Sequence, residues 1–232
     1  MNNFNELIKR NSFNSKELLP QKLYILNEEF RHSNRYQDAV RLLFVLIHAY
    51  YYIMVLKTWG LTIKICLFMT LISFYLNFNY FTLCLLNSYC HNFYNHIVIK
   101  QCNLNTLFRA AFTISNVVVI MYWGIYFHDE TLLGDTPLRL DFDLFLHGGN
   151  VIVLIIDRIF IDKEHRFESN ITKRTLFFIT ICYFAIIYST FLCLGVPVYP
   201  LIAKLNLVQL GVLVFISYVL LLIGNFIYET LM

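Results

Sequence analysis

The segment His147-Gly148-Gly149-Asn150-Val151-Ile152-Val153-Leu154-Ile155-Ile156-Asp157 sets an imidazole, an amide and a carboxylate into an otherwise apolar run. Such groups are costly in hydrocarbon, and ionisable side chains inside membrane spans by default mark function and face the interior of a bundle. At about 100° per residue, positions 147, 150 and 157 fall within roughly 80° of one helix face. One polar stripe on one apolar helix points to a lined cavity; the plainer alternative is that the three groups only hydrogen-bond neighbouring helices. A hydroxyl beside an imidazole is the minimum equipment for nucleophilic acyl transfer, because the base removes the hydroxyl proton and returns it to the leaving group. Thr70 is a hydroxyl that topology allows near His147. Counted from a span that begins near Leu61, it lies about 9 residues in, or ~13 Å along the helix, in the same outer half of the bilayer. On spacing alone, Thr62, Ser73, Thr82, Thr113 and Ser115 are comparable, and a span Thr usually bonds a carbonyl of its own helix.

The elements that must carry these groups follow from composition. The 232 residues are 58% hydrophobic, 17% aromatic and 14% charged, with a mean hydropathy of +0.59. These values exclude an ordinary soluble domain, and a net charge of +3 is too small to point to nucleic acid. Apolar spans are expected near 40–57, 62–86, 107–127, 144–161, 175–196 and 207–228, most of them close to the ~20 residues a crossing helix needs. The expected fold is all-α: a polytopic bundle of six transmembrane helices over residues 39–232, preceded by a polar cytosolic tail over residues 1–38. Thr58, Trp59 and Gly60 leave so tight a connection that spans one and two form an antiparallel hairpin.

Orientation follows from the cations. With the N-terminus cytosolic, fourteen Lys and Arg fall inside and four, Lys57, Lys64, Arg139 and Lys204, fall outside. That split is a strong positive-inside signal and places both termini in the cytosol. The third connection is acidic, with Asp129, Glu130, Asp135, Asp141 and Asp143, and suits the outer side. Trp59, Trp123 and Tyr199 then form an outer aromatic belt, with Tyr199 also fixing the Pro200 turn. The sequon Asn170-Ile171-Thr172 lies on the cytosolic side and is expected to go unused. The polar tail has no signal-peptide core; its stretch 23–30 reads equally as an amphipathic surface helix or as disorder.

The remaining polar residues carry narrower expectations. Asn150 is placed to donate to an oxyanion or to orient His147, and equally to bond another helix. Asp157, ten residues beyond His147, is ~15 Å away along the helix and out of reach of its imidazole, so it is expected to brace the bundle through Arg or Tyr. Asp141 and Asp143, just outside the span, are candidate orienters of His147. His48 is expected to bond a backbone carbonyl. The six cysteines form no disulfide framework, and Cys90, His91, His96 and Cys102 fit no zinc spacing. No metal or organic cofactor is expected. No repeat or nucleotide-binding motif is present, and no broken helix pair favours a transporter.

Four segments in order carry a family resemblance: Phe68-Met69-Thr70-Leu71; Tyr122-Trp123-Gly124-Ile125-Tyr126 followed by Asp129; His147 with Asp157 downstream; and Val198-Tyr199-Pro200-Leu201. Over roughly residues 60–230 the chain resembles the androgen-induced membrane protein family, which includes the androgen-dependent regulator of tissue factor pathway inhibitor. The resemblance implies a six-span threonine hydrolase of fatty acid esters of hydroxy fatty acids. Thr70 would be its nucleophile and His147 its general base and acid, with a lipid ester as substrate, a lipid bilayer as surroundings, and the endoplasmic reticulum or plasma membrane as location. The chain departs from the family pattern at Leu144, where a second His is frequent, at Asp157, where the family has Glu, and at Gly148, Gly149 and Asn150. A His followed three residues later by Asn is also similar to the rolling-stone membrane proteins, which implies the alternative: a non-catalytic lipid-binding, adhesion or signalling protein.

Overall fold

Long apolar runs in hydrocarbon have no hydrogen-bond partner for their backbone except themselves, so they fold as helices. The four prolines, Pro20, Pro137, Pro197 and Pro200, fall outside the long runs. A computed structural model describes residues 35–60, 67–93, 101–133, 139–161, 173–195 and 197–231. Among these the chain is all-helical. Helix α1 is Arg35–Trp59, α2 is Met69–Phe93 and α3 is Gln101–Asp129, which runs on into a 3₁₀ turn. Helix α4 occupies residues 140–161, α5 is Lys173–Leu194, the short α6 is Pro200–Lys204 and α7 is Leu207–Leu231. Residues 1–34, Thr62, the sequon and the side chains of Cys90, His91, His96 and Cys102 lie outside the described residues.

Among the described residues, five helices are long and apolar enough to cross a membrane: Arg35–Trp59, Met69–Tyr89, Leu104–Leu132, Lys173–Leu194 and Leu207–Thr230. Their outward faces carry large apolar side chains, with Val208 77%, Phe215 66% and Phe226 66% exposed. A surface of that kind requires hydrocarbon around it, so the chain is an integral membrane protein. The expected fourth span takes a helical path but not one uninterrupted α-helix. It runs as an α turn Leu140–Leu144, a π turn Phe145–Gly149, an α segment Asn150–Ile156 and a second π turn Asp157–Ile161.

Within the packed unit Arg41–Met232, three apolar clusters hold the helices. Val55, Leu71, Phe74, Phe142 and Leu146 join α1, α2 and α4. Ile114, Val117, Val118 and Leu221 join α3 and α7, and Ile187, Val198 and Ile202 tie α5 to α6 and the residues before it. Arg109 donates to Asn225 at 2.7 Å and pairs with Glu229, fastening α3 to α7.

Two glycines end helices by turning left-handed. Gly60 (φ +65) donates its N–H to Leu56 O at 2.9 Å, and Gly195 (φ +66) donates to Phe191 O at 2.9 Å. Only a residue without Cβ adopts that cap freely. Gly149 is needed for a different reason. A Cβ there would stand 2.5 Å from Cδ2 of Phe145, and that ring is stacked on Tyr51 at 4.3 Å and meets the edge of His48 at 5.3 Å. Gly148 has open space on its Cβ side. Gly149→Ala is therefore expected to lower thermal stability by about 1–3 kcal/mol through overpacking. Gly148→Ala should be neutral or slightly stabilising, as helix propensity dictates; thermal unfolding of the two variants side by side checks this.

Candidate functional site

Helix α2 begins at Met69, so Thr70 sits in its first turn. This corrects the expectation of a Thr some 13 Å into a span. The two side chains meet, with Thr70 Oγ1 3.5 Å from His147 Nδ1. The start of the helix is pinned from α5 and from the turn before α6. The Met69 N–H donates to the Tyr199 hydroxyl at 2.9 Å, and the Tyr183 hydroxyl donates to Leu67 O at 3.0 Å, with the two hydroxyls 3.4 Å apart. Tyr199, expected at the membrane interface, instead points inward to clasp the residue beside Thr70. Tyr199→Phe removes this acceptor and is expected to cost about 1–3 kcal/mol, the penalty for stranding a buried donor, read as a fall in thermal midpoint of the purified protein.

His147 lies in the π turn of α4 and is buried; widened turns of this type recur at functional sites. Its ring stacks on Tyr122 of α3, with centroids 3.3 Å apart and planes 3° from parallel, while Trp123 Nε1 donates to His147 O at 3.1 Å. Its Nε2 is 3.5 Å from Asp143 Oδ1 one turn back. The Tyr122 hydroxyl donates to both Asp143 oxygens, at 2.7 and 2.8 Å. Burial raises the Asp143 carboxyl above the ordinary carboxylate range, and the Tyr122 hydroxyl pulls it back. Asp141, the other candidate orienter, does not reach His147. Arg139 holds it through two hydrogen bonds of 3.0 and 2.9 Å and keeps it below the usual carboxylate range.

The remaining stripe residues face α2 at successive depths. Asn150 donates to Leu146 O at 3.1 Å within α4, so its amide does not orient His147. Its backbone O accepts from Asn77 Nδ2 at 3.4 Å. Asn77 also donates to Ser115 Oγ at 3.2 Å, and Ser115 shares a 2.6 Å hydrogen bond with Ser73. Asp157, fully buried, accepts from Arg41 Nε at 2.9 Å and from the Tyr80 hydroxyl at 2.7 Å. His48 Nδ1 lies 2.7 Å from Phe44 O, the backbone partner expected of it. Thr70, Asn77 and Tyr80 on α2 thus match His147, Asn150 and Asp157 on α4, each set spanning ten residues. Asn77 and Tyr80 were not singled out from the sequence, and Tyr122 entered only as part of a family segment, with no role beside His147. The same 3.6-residue spacing used for α4 connects Thr70, Asn77 and Tyr80 and was the available signal.

A cavity of about 80 Å³ opens beside this set, room for several waters or a stretch of alkyl chain. Thr70, Tyr122, Tyr183, Tyr199 and Ser217 bring its polar groups, with Met69, Val118, Met121, Phe184, Ile187 and Leu213 among its apolar lining. Apolar walls with a few converging polar groups are the usual character of a small-molecule site. Thr70 therefore fronts the cavity, and His147 stands behind it under the Tyr122 ring.

Fold and site together define an all-helical integral membrane protein with a hydroxyl, an imidazole and a carboxylate gathered at one end of its bundle. A family model described as FAR-17a/AIG1-like protein matches residues 39–232, and the chain belongs to that family, the androgen-induced family to which its motifs pointed. No curated protein and no solved structure matches the chain.

Proposed function

We propose that this protein is a membrane-embedded hydrolase of lipid esters, with Thr70 as nucleophile and His147 as general base and acid. The observation that carries the reading is the 3.5 Å approach of Thr70 Oγ1 to His147 Nδ1 at the wall of an apolar cavity. Catalytic hydrogen bonds are commonly long without substrate and tighten when it binds. For Nδ1 to act as base, the proton of neutral His147 must sit on Nε2, the nitrogen that faces Asp143. Asp143, held by Tyr122, is then the orienting acid.

In the proposed reaction the acyl chain lies along the apolar wall and the ester carbonyl meets Thr70. His147 takes the hydroxyl proton as Oγ1 bonds to the carbonyl carbon. Collapse breaks the ester C–O bond, and His147 returns the proton to the departing alcohol. Water, activated by the same imidazole, then releases the acid from the acyl-threonine. Fatty acid esters of hydroxy fatty acids are the substrates the family resemblance implies, and the chemistry uses neither metal nor organic cofactor. We further propose six crossings, with residues 144–161 as the fourth, and both termini cytosolic, as the distribution of Lys and Arg favours. The membrane is that of the endoplasmic reticulum or the cell surface.

The test is covalent labelling of the purified protein by a fluorophosphonate lipid probe. Wild type is expected to label, Thr70→Ala to lose labelling, and Thr70→Ser to retain part of it. A well-folded wild type that does not label, or equal labelling of Thr70→Ala, overturns the hydrolase reading and leaves the non-catalytic alternative.

A further inference from the structure

Five side chains bring hydroxyls to the wall of the cavity, and four of their protons already have a destination. The Tyr122 hydroxyl donates to Asp143, and the Tyr183 hydroxyl donates to Leu67 O. With its own proton so used, Tyr183 can only accept from Tyr199 across 3.4 Å, while Tyr199 accepts the Met69 N–H. Thr70 faces His147. Ser217 of α7 is the fifth. It is 3% exposed, and no hydrogen bond joins its side chain to any described residue. A hydroxyl on an apolar helix usually bonds the carbonyl four residues back. Thr180, Thr190 and Thr230 do so here, to Leu176 O, Ile186 O and Phe226 O. Ser217 does not, and its proton is left for the cavity.

Helix α3 measures the depth of Ser217 against that of Thr70. Tyr80 of α2 meets Phe108 at 5.1 Å and Ser73 meets Ser115 at 2.6 Å, so α2 and α3 run antiparallel, residue for residue. Three residues nearer the start of α2, Thr70 falls level with Val118. On α7, Glu229 and Asn225 meet Arg109, and a Cβ at Gly224 would stand 3.3 Å from Thr113 O, so this pair is antiparallel too. Seven residues nearer the start of α7, Ser217 falls level with Ile120. Thr70 and Ser217 thus differ by about 3 Å in depth, and Val118 and Met121 line the same cavity at that level. A plain alkyl chain offers a hydroxyl proton nothing to bond, whereas a carbonyl oxygen is a pure acceptor. We propose that the Ser217 hydroxyl donates to the carbonyl oxygen of the acyl ester held at Thr70, an assignment that rests on the hydrolase reading. As Thr70 Oγ1 bonds to the carbonyl carbon, the C=O π pair moves onto the oxygen. The Ser217 O–H stabilises the charge that forms there and keeps its own proton, a contact worth most in an apolar wall.

The experiment is isotope-edited infrared spectroscopy of the full chain in ether-linked phosphocholine nanodiscs, whose lipid carries no ester carbonyl. The probe is a long-chain dialkyl ketone with an isotopically labelled carbonyl carbon, which presents the same acceptor and cannot be hydrolysed. It is read in Thr70→Ala, so that the Thr70 hydroxyl is no competing donor. A carbonyl band moved to lower frequency, absent from empty nanodiscs, is expected in Thr70→Ala and is expected to vanish when Ser217→Ala is added. Survival of that band in the double variant, or its absence from Thr70→Ala itself, overturns the assignment. In the otherwise wild-type chain, Ser217→Ala is expected to lower kcat by about 10²–10³-fold, the loss for one oxyanion donor, with KM little changed. An unchanged kcat overturns the assignment as well. Fluorophosphonate labelling of wild type judges the hydrolase reading separately: a chain that labels but gives no shifted ketone band keeps Thr70 as nucleophile and loses Ser217 as donor.

Discussion

His147→Ala is expected to lower lipid-ester hydrolysis by about 10²–10⁴-fold, the range lost when a positioned general base is removed. The loss should fall on kcat, because the apolar cavity proposed to hold the acyl chain is lined by residues other than His147. Asn150→Ala is the informative control. It lies one turn further along α4, is buried to a similar degree, and its side-chain N–H donates to Leu146 O of the same helix. If hydrolysis of a fluorogenic ester in nanodiscs falls as far in Asn150→Ala as in His147→Ala, the loss reports packing and not proton transfer. The stacked Tyr122 ring and its hold on Asp143 remain in the alanine variant, so a purely structural role for the imidazole would leave substantial activity.

The second large effect concerns stability. Asp157→Ala is expected to cost about 3–5 kcal/mol, because it removes a fully buried carboxylate from the Arg41 guanidinium that it neutralises. Arg41 and Asp157 have side chains only 12% and 0% exposed, so solvent screens the pair little. The Tyr80 hydroxyl loses its acceptor at the same time. The double variant Arg41→Met with Asp157→Leu should recover most of the loss, since apolar residues of similar volume replace buried pairs at little cost. Thermal unfolding of the single and double variants separates these outcomes; a double variant no better than Asp157→Ala would mean that the ion pair itself stabilises the bundle.

Much of this architecture is legible in the residues, and the illegible parts have physical reasons. Hydrophobic run lengths are enough to locate five crossing helices, because hydrocarbon leaves a chain few alternatives to a helix. Placing Thr70 and His147 both near the outer side only allows their pairing, and the family resemblance selects Thr70 among several hydroxyls; Asp157 goes to an Arg and a Tyr, the partners expected of it. The start of α2 was misplaced, however. Leu61 to Phe68 is as apolar as a helix, and hydropathy carries no mark of the point where Tyr199, from 130 residues away, takes the first N–H. The π turns of α4 were equally invisible, since periodicity counts residues and not the width of a turn. Asp141 and Asp143 looked equivalent from sequence. Arg139 decides between them by its two-point grip on Asp141, a contact that depends on how the chain enters α4.

The matched ten-residue stripes on α2 and α4 act as a key in a slot. Three contacts at three depths, Thr70 with His147, Asn77 with Asn150 and Tyr80 with Asp157, all demand the same alignment of the two helices. Sliding one helix by a single residue moves about 1.5 Å along the axis and swings the stripe by about 100°, so all three contacts fail together. The spacing of Thr70 and His147 is therefore not set only locally at the mouth of the cavity; it is also held from the far end of the bundle by a carboxylate that never touches the pair.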